Sequence, residues 1–395
     1  MRDTLQCMDY LAEKAVEEQV DLVVIAGDLF HRSKLWADQM LKEIQLAAGW
    51  LRKIASHGIP VVLLFGTSNH DNPRAFENIR EMNIPGLTII TTPEIVSITT
   101  KAGPVQVAGL PGFDKHQLLT DEKYRDLSPE EANRVASELL GNIVLGLGAQ
   151  IDRSLPSVLL AHYTVVGCQL DNGQHVFNQS DVVLPREALA ASPFDLVCLG
   201  HIHRAQRVEH VGKPTFYCGA LNGITFNEEG QTKGFWIHDL DQPGIDPDFI
   251  PTPYRYFVTW ECFKDEEYDW PAMFADNPQE AVQMYIQEIE GCRNAIVRVH
   301  YKCDEEIRKR MNPMAIEKAL YDAGAFYVAE IKPVEIITTA NRQEMTESGS
   351  PLDNLSAYLE KEGTPEEDRA ALLELAKPLI DTVSANMPTG RLSGV

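Results

Sequence analysis

Residues 21–28 read D-L-V-V-I-A-G-D, a short apolar run that ends in a glycine and an aspartate. β-Branched residues packed into so short a run indicate a strand buried on both faces. A second run, V-V-L-L-F at 61–65, leads into G-T-S-N-H-D at 66–71, and an amphipathic helix pattern over 36–57 separates the two runs. This alternation predicts parallel strands with helices on their faces, and it puts the polar residues that follow each strand at one edge.

Two further buried runs extend the pattern. S-V-L-L-A at 157–161 precedes His162, and D-L-V-C-L at 195–199 precedes G-H-I-H at 200–203. Short alternating strands are predicted from about 87 to 113, and a capping box at Ser128 opens a helix that runs to about 148. The chain is therefore predicted to be an α/β (α+β) protein whose functional loops follow its strands.

The remaining sequence predicts two smaller segments. A proline-rich stretch over 241–253 indicates a domain boundary, and a strand-helix-strand-helix-strand pattern follows it as a small split β-α-β module. Two helix patterns with leucine stripes lie beyond about 350. We expect three domains, over 1–250, 251–335 and 336–395.

Composition narrows the classes of protein that fit. Among the 395 residues no apolar run is long enough for a membrane span, and the first residues lack a signal-peptide pattern. The seven scattered cysteines form no C-x-x-C pair, which is typical of the reducing cytoplasm. The net charge of −23 disfavours non-specific nucleic-acid binding, so any contact with DNA would be local or shared with a partner.

The residues after the strands form a candidate metal-ligand set. Each of them alone is more simply interpreted as a cap, a turn or a structural histidine, but His201 and His203 point the same way in an extended loop. The combination predicts a pair of divalent metals that activates a water for attack on a phosphodiester. Imidazole and oxygen ligands without thiolate favour manganese, iron or zinc over calcium; manganese is our first expectation, and magnesium is a further possibility. The predicted ligands are Asp28, Asn69, His162, His201 and His203.

A catalytic dyad is predicted beside these ligands. Asp71 follows His70 directly and could fix its tautomer, so that His70 protonates the leaving oxygen; the alternative is that Asp71 caps a turn. His31, three residues after Asp28, either contacts substrate or is simply exposed. Arg32 and Arg204 either grip phosphate or are surface arginines.

The arrangement G-D, N-H-D, H and G-H-x-H resembles the calcineurin-like metallophosphoesterase superfamily. The strings D-L-V-V-I-A-G-D-L-F, C-L-G-H-I-H-R-A-Q and Y-C-G-A-L-N-G-I-T-F-N-E-E-G-Q-T-K-G-F are similar to its bacterial SbcD branch. The resemblance implies a β-sandwich flanked by helices, a capping domain and partner-binding C-terminal helices. It also implies a manganese-dependent DNA exonuclease and endonuclease for repair, with the five metal ligands named above, His70 as the catalytic histidine and a role for His31 in DNA processing.

The same resemblance implies partners. The segment 251–335 would help to hold DNA, and the helices after 350 would dock on the coiled coil of an SbcC-like ATPase. A dimer of nuclease subunits within a heterotetramer is implied, in the cytoplasm and associated with the nucleoid. Two rival functions stay open: a superfamily phosphoesterase for small substrates, and a non-catalytic scaffold or DNA-binding subunit.

Two departures from the family pattern set further expectations. The D-x-H motif of a preceding strand is absent, so we expect either a truncated or misassigned start or a weakened, one-metal protein. The phosphate loop reads G-T-S-N-H-D where G-N-H-D is usual, and the extra Thr67-Ser68 is expected to shift Asn69.

Overall fold

The computed structural model describes residues 1–31, 37–112, 124, 127–176, 182–241, 246–262, 269, 272–273, 276–288, 291–303, 305–335, 351–361 and 364–386. The chain divides into two compact units. The first comprises Met1–Tyr301 and Arg310–Lys332, and the second comprises Lys302–Lys309 and Pro333–Val395. None of the helices in the described ranges combines the length and the apolarity that crossing a membrane requires.

The first sheet has three parallel strands in the order β1-β2-β3. Helices cover its outer face, and their buried side chains form one hydrophobic cluster with those of the sheet. All four residues of β2 are buried, as the V-V-L-L run predicts. The strands are β1 (Val23–Ile25), β2 (Val61–Leu64) and β3 (Leu87–Ile90), and the helices are α1 (Arg2–Glu17), α2 (Ala37–Ala55) and α3 (Pro73–Glu81).

The second sheet has six strands in the order β4-β5-β6-β7-β9-β8, and its central strands β5, β6, β7 and β9 are parallel. Its outer face packs on α4 (Pro129–Gly148) and α5 (Arg186–Ala191). The predicted capping box of α4 is confirmed: Glu131 N–H donates to Ser128 Oγ at 3.2 Å, and Ser128 N–H donates to Glu131 Oε2 at 2.9 Å. The strands are β4 (Glu94–Thr99), β5 (Pro104–Leu110), β6 (Ser157–His162), β7 (Leu196–Gly200), β8 (Gln206–Arg207) and β9 (Thr215–Tyr217).

A third hydrophobic cluster fills the space between the two sheets. Val62 and Leu64 of β2 meet Val158 and Leu160 of β6 there. Because each face of each sheet is covered, the buried strands can be apolar on both sides. The predicted fold class, a sandwich of sheets flanked by helices, is confirmed.

One strand lies where the sequence predicted only a break. Within the proline-rich stretch, β11 (Asp248–Pro251) pairs antiparallel with β10 (Gly234–Ile237). Phe249 packs on Trp236, with ring centroids 4.8 Å apart. β11 is an edge strand of this two-stranded sheet, where the missing N–H of Pro251 is tolerated. The pairing partner lies outside the local window, so local composition missed this strand.

The predicted β-α-β pattern after residue 253 is confirmed. β12 (Phe257–Cys262) pairs parallel with β13 (Ile296–Cys303), and β14 (Tyr327–Glu335) completes the sheet order β12-β13-β14. Its helices are α6 (Pro278–Glu288), α7 (Glu305–Arg310) and α8 (Pro313–Asp322). The predicted domain boundaries at 250 and 335 stay predictions.

The second unit contains the two predicted C-terminal helices, α9 (Pro351–Lys361) and α10 (Glu366–Asn386). Thr364 N–H donates to Leu359 O at 3.1 Å in the turn between them, and Arg369 lies 3.7 Å from Glu360. α10 continues through Pro378.

Candidate metal centre

Asp28 follows β1 with an unusual backbone conformation. Its φ is +52°, in the left-handed region that non-glycine residues rarely adopt. Its Oδ1 accepts from Thr67 N–H at 2.9 Å and from Thr67 Oγ1 at 3.3 Å, and its Oδ2 lies 3.1 Å from His162 Nε2. Asp28 is therefore held as a carboxylate.

His162 ends β6 and is buried. Its Nδ1 lies 2.6 Å from Ala26 O, so Nδ1 carries the proton and donates it to that carbonyl. Nε2 is then the lone-pair nitrogen, and it has no hydrogen-bond partner among the described residues. A lone pair facing a carboxylate oxygen is unfavourable unless a cation lies between them. The orphaned nitrogen therefore indicates a cation site.

His201 completes a group of three. It follows β7 with a φ of +87°, is exposed, and its ring centroid lies 5.4 Å from that of His162. One ligand atom from each of Asp28, His162 and His201 lies within 4.8 Å of the others. The structure thus brings together three of the five predicted ligands, from loops of both sheets.

Two glycines make this close approach possible. A Cβ on Gly66 would lie 2.1 Å from Asp28 Oδ1, and a Cβ on Gly200 would lie 2.0 Å from Ala26 O and 2.7 Å from His162 Nδ1. No real Cβ has such contacts with backbone, so these positions require glycine. The glycines of the two motifs are part of the site because they let its loops touch.

Asn69 lies in an exposed position of the loop after β2. Thr67, the first of the two extra residues in this loop, has a structural role because it donates hydrogen bonds to the carboxylate of Asp28. The predicted role of Asn69 as a metal ligand stays a prediction.

His203 falls in a different group of ligand atoms, with Asp171 and Glu228. Its Nδ1 lies 3.2 Å from Glu228 Oε1 and 3.4 Å from Asp171 Oδ2. The backbone N–H of His203 donates to Asp171 Oδ1 at 3.0 Å. The predicted metal role of His203 also stays a prediction, and any such role falls to its other ring nitrogen.

Sequence reasoning missed Asp171, Glu228 and Lys233. Lys233 Nζ lies 2.7 Å from Glu228 Oε2, and each side chain is only 1% exposed. Burial acts to raise the pKa of Glu228, but contacts with His203 and Lys233 outweigh it and lower the pKa to about 2. The Glu228 contact also raises the pKa of His203. The charges in N-E-E-G-Q-T-K resemble an ordinary polar turn, so no local signal marks them.

The predicted dyad of His70 and Asp71 is wrong in its geometry. His70 Nδ1 donates to His31 O at 2.7 Å, so a backbone carbonyl orients the imidazole. Asp71 is fully buried and accepts three backbone N–H groups, from Asp28 at 2.9 Å, Phe30 at 3.1 Å and Gly66 at 2.7 Å. Burial raises the pKa of Asp71 to about 6, although the N–H groups of Gly66 and Phe30 act in the opposite direction. Asp71 ties the loops after β1 and β2 together, which is closer to the turn-capping alternative.

The other predicted residues have different positions. His31 is exposed, and its ring centroid lies 5.9 Å from that of His70. Arg204 is half-buried, and its Nε is a buried donor without a hydrogen-bond partner among the described residues. Arg32 lies outside the described residues.

The first half of the chain matches a known protein family. Residues 1–205, more than half of the chain, match the family model described as calcineurin-like phosphoesterase. The chain belongs to this family. Calcineurin-like phosphoesterases are metal-dependent hydrolases, and this part of the prediction from the sequence motifs is confirmed.

Solved structures give weaker similarities to this calcineurin-like phosphoesterase. TT1561 of Thermus thermophilus is 15% identical, with 62% of this chain and 93% of that chain covered and a TM-score of 0.37. GAP50, the anchor in the inner membrane complex of Plasmodium, is 12% identical, with 59% and 69% covered and a TM-score of 0.32. At these scores the two structures add nothing to what the family match shows.

The residues present fit the divalent metals that the family uses. The lone pair of His162 Nε2 and the carboxylate of Asp28 face the same point, and His201 supplies a third ligand atom beside them. Hard oxygen with borderline imidazole nitrogen is a donor set suited to manganese, iron or zinc. The donor set does not choose among these metals.

Proposed function

We propose that this calcineurin-like phosphoesterase is a metal-dependent DNA nuclease that processes DNA ends, the catalytic subunit of an SbcCD-like complex. The similarity of its motif strings to the SbcD branch supports the substrate. Its ligand group supports the chemistry, because imidazole and carboxylate side chains meet at one edge of the sandwich.

The main observation in favour of a polymeric substrate is that the edge of the sandwich with the metal ligands is exposed. Asn69, His201 and His31 are all exposed in the part of the chain that the structure describes. Sites for small molecules usually enclose most of the ligand surface in a cleft. An open edge instead lets a phosphodiester within a long chain reach the ligands.

The small β-α-β module supports a substrate that extends beyond the cluster. Phe226, in a turn after β9, packs on Phe257 of β12 with ring centroids 4.8 Å apart. The guanidinium of Arg298, on β13, stacks 4.4 Å from the centroid of the Phe226 ring. The module is thus anchored to the loops beside the site, where a second surface for DNA is useful.

The side chains at this edge have separate roles in the proposed reaction. Asp28, His162 and His201 hold divalent metal, together with Asn69 and His203. When bound, the metals act as Lewis acids that polarise the phosphoryl group and lower the pKa of a bound water. With Nδ1–H bound to His31 O, the doubly protonated ring of His70 gives its Nε2 proton to the leaving oxygen.

His70→Ala tests this assignment. We expect wild-type protein with Mn²⁺ to degrade linear duplex DNA, and the variant to lose about 10²–10⁴-fold in kcat because it lacks the proton donor. Calorimetry with Mn²⁺ should give the same affinity for both proteins, since His70 is not assigned as a ligand.

The matched control is His57→Ala, which removes an exposed histidine from the turn after α2 and should leave the rate unchanged. Hydrolysis of an aryl phosphodiester is measured in parallel. If wild-type protein hydrolyses the aryl substrate but leaves DNA intact, the small-substrate alternative replaces the nuclease. If it hydrolyses neither, the scaffold alternative stands.

We also propose that α10 binds the coiled coil of an SbcC-like ATPase. Leu372, Leu375 and Leu379 lie on one face of the helix and are 43%, 69% and 69% exposed. Exposed leucines in a stripe are typical of a helix that docks on a partner. A partner also suits the net charge of −23, because the ATPase can supply the positive surface that DNA requires.

The double variant Leu375→Gln/Leu379→Gln is expected to weaken binding to the purified ATPase by at least about 100-fold, since each leucine that the partner buries contributes about 1.5–3 kcal/mol. Isothermal titration calorimetry measures the affinity, with Lys377→Gln on the same helix as the control. Unchanged affinity in the double variant would remove this face from the interface.

A further inference from the structure

The turn Phe226–Glu228 carries a buried carboxylate that the assigned chemistry does not use. The Glu228 side chain is 1% exposed, with Oε2 on Lys233 Nζ and Oε1 3.2 Å from His203 Nδ1. Lys233 donates further to His203 O at 3.0 Å and to Gln231 Oε1 at 3.0 Å. Both members of this ion pair therefore touch the same histidine.

Burying such an ion pair is a poor way to gain stability. The desolvation of two charges offsets most of their attraction, and apolar residues of similar volume often stabilise a protein as well or better. What the pair supplies here is orientation. Glu228 contacts the ring of His203, Lys233 binds its backbone carbonyl, and Asp171 binds its backbone N–H.

The chemistry of the contact fixes the state of the ring. A carboxylate beside Nδ1 keeps the proton on that nitrogen, and Nε2 then presents a lone pair. We propose that Glu228, supported by Lys233, is a positioning residue that holds His203 in the Nδ1–H tautomer required of a metal ligand. This inference rests on the proposed metal centre and extends it to a carboxylate and a lysine of the loop that follows.

The neighbouring Glu229 provides a matched control. It has the same side chain, but it faces β12, where it accepts from Thr259 N–H at 2.7 Å and from the Thr259 hydroxyl. Arg298 Nε donates to the same Thr259 hydroxyl at 2.7 Å. Glu229→Gln changes a carboxylate one residue from Glu228 while leaving the contacts of His203 in place.

The first test needs no substitution at the pair. Histidine-selective ¹⁵N labelling reports the tautomer of each imidazole in metal-free protein, and a His203→Gln spectrum assigns the signal. At a pH high enough for the ring to be neutral, we expect His203 to carry its proton on Nδ1 and none on Nε2. A neutral ring with its proton on Nε2 in wild-type protein would overturn the proposal.

The second test uses Glu228→Gln/Lys233→Met, which removes both charges so that neither remains buried without its partner. We expect the variant to stay folded but to unfold at a lower urea concentration than wild-type protein, because His203 O and Gln231 Oε1 lose the Lys233 donor. Its His203 signal should move toward a mixture of tautomers, and one Mn²⁺ site should weaken by about 10- to 100-fold in calorimetry, as for other residues that support a metal ligand.

Glu229→Gln should change neither the tautomer nor the Mn²⁺ affinity. If the double variant keeps both at wild-type values, Glu228 has only a structural role. These readouts need no DNA, so a protein that passes them but cuts no DNA would refute the nuclease and leave the positioning role intact.

Discussion

Gly200→Ala is expected to abolish Mn²⁺ binding and to lower the free energy of unfolding by about 3 kcal/mol, at the upper end of the usual effect of overpacking. The new Cβ would lie 2.0 Å from Ala26 O and 2.7 Å from His162 Nδ1, between the two atoms whose hydrogen bond orients the His162 ring. Neither side yields easily, because Gly200 ends β7, a strand that pairs with β6 on one side and β9 on the other.

Urea unfolding and Mn²⁺ calorimetry measure the two effects separately. Gly49→Ala is the control, because nothing lies within 4 Å of its added Cβ and the position is exposed within α2. It should stabilise the protein by about 1 kcal/mol, as alanine does in a helix. A Gly200→Ala protein with normal stability and normal Mn²⁺ binding would show that the loops after β1, β6 and β7 do not approach as described.

Asp71→Asn is expected to lower the free energy of unfolding by about 3 kcal/mol, because a buried group that leaves donors unsatisfied loses about 1–3 kcal/mol for each. The two Asp71 oxygens accept N–H groups from Asp28, Phe30 and Gly66. An amide offers one oxygen, so its NH₂ group would face at least one of these donors. The loop that carries Asp28 would then separate from the loop after β2.

This result distinguishes the observed role from a catalytic dyad. A dyad partner of His70 would lower the rate and leave stability almost unchanged, so a stable but slow Asp71→Asn protein would restore that interpretation. Asp152→Asn is the control: its carboxylate accepts from Ser154 N–H at 3.0 Å in an exposed turn, where water can replace the lost contact. Its unfolding midpoint should scarcely move.

The elements of the fold were predictable where the pattern is local. The runs at 21–26, 61–65 and 195–199 indicated strands because their apolar residues are contiguous, and Ser128 marked the start of α4 by its own capping box. The burial predicted for the first run was wrong, because β1 lies at the edge of its sheet and its three residues are only half-buried. β11 was missed because its evidence is a partner strand, β10, rather than its own composition. Periodicity reports burial of a face, but it does not report which distant strand supplies the hydrogen bonds.

The site was predictable to the same extent. Asp28 and His201 follow strands and His162 ends one, and parallel strands bring their carboxyl ends to one edge. The adjacency of His70 and Asp71 misled, because neighbouring residues in a chain seldom direct their side chains to the same place. The roles of Glu228 and Lys233 could not be predicted, because they depend on contacts with His203, which is 25 residues from Glu228 in the sequence.

The left-handed backbone at Asp28 and His201 has a consequence for engineering. At each of these positions the left-handed conformation lowers the stability of the folded protein by about 1–2 kcal/mol relative to glycine. Selection for heat tolerance alone would therefore favour glycine at both positions. The more stable protein would lose two of its three clustered metal ligands.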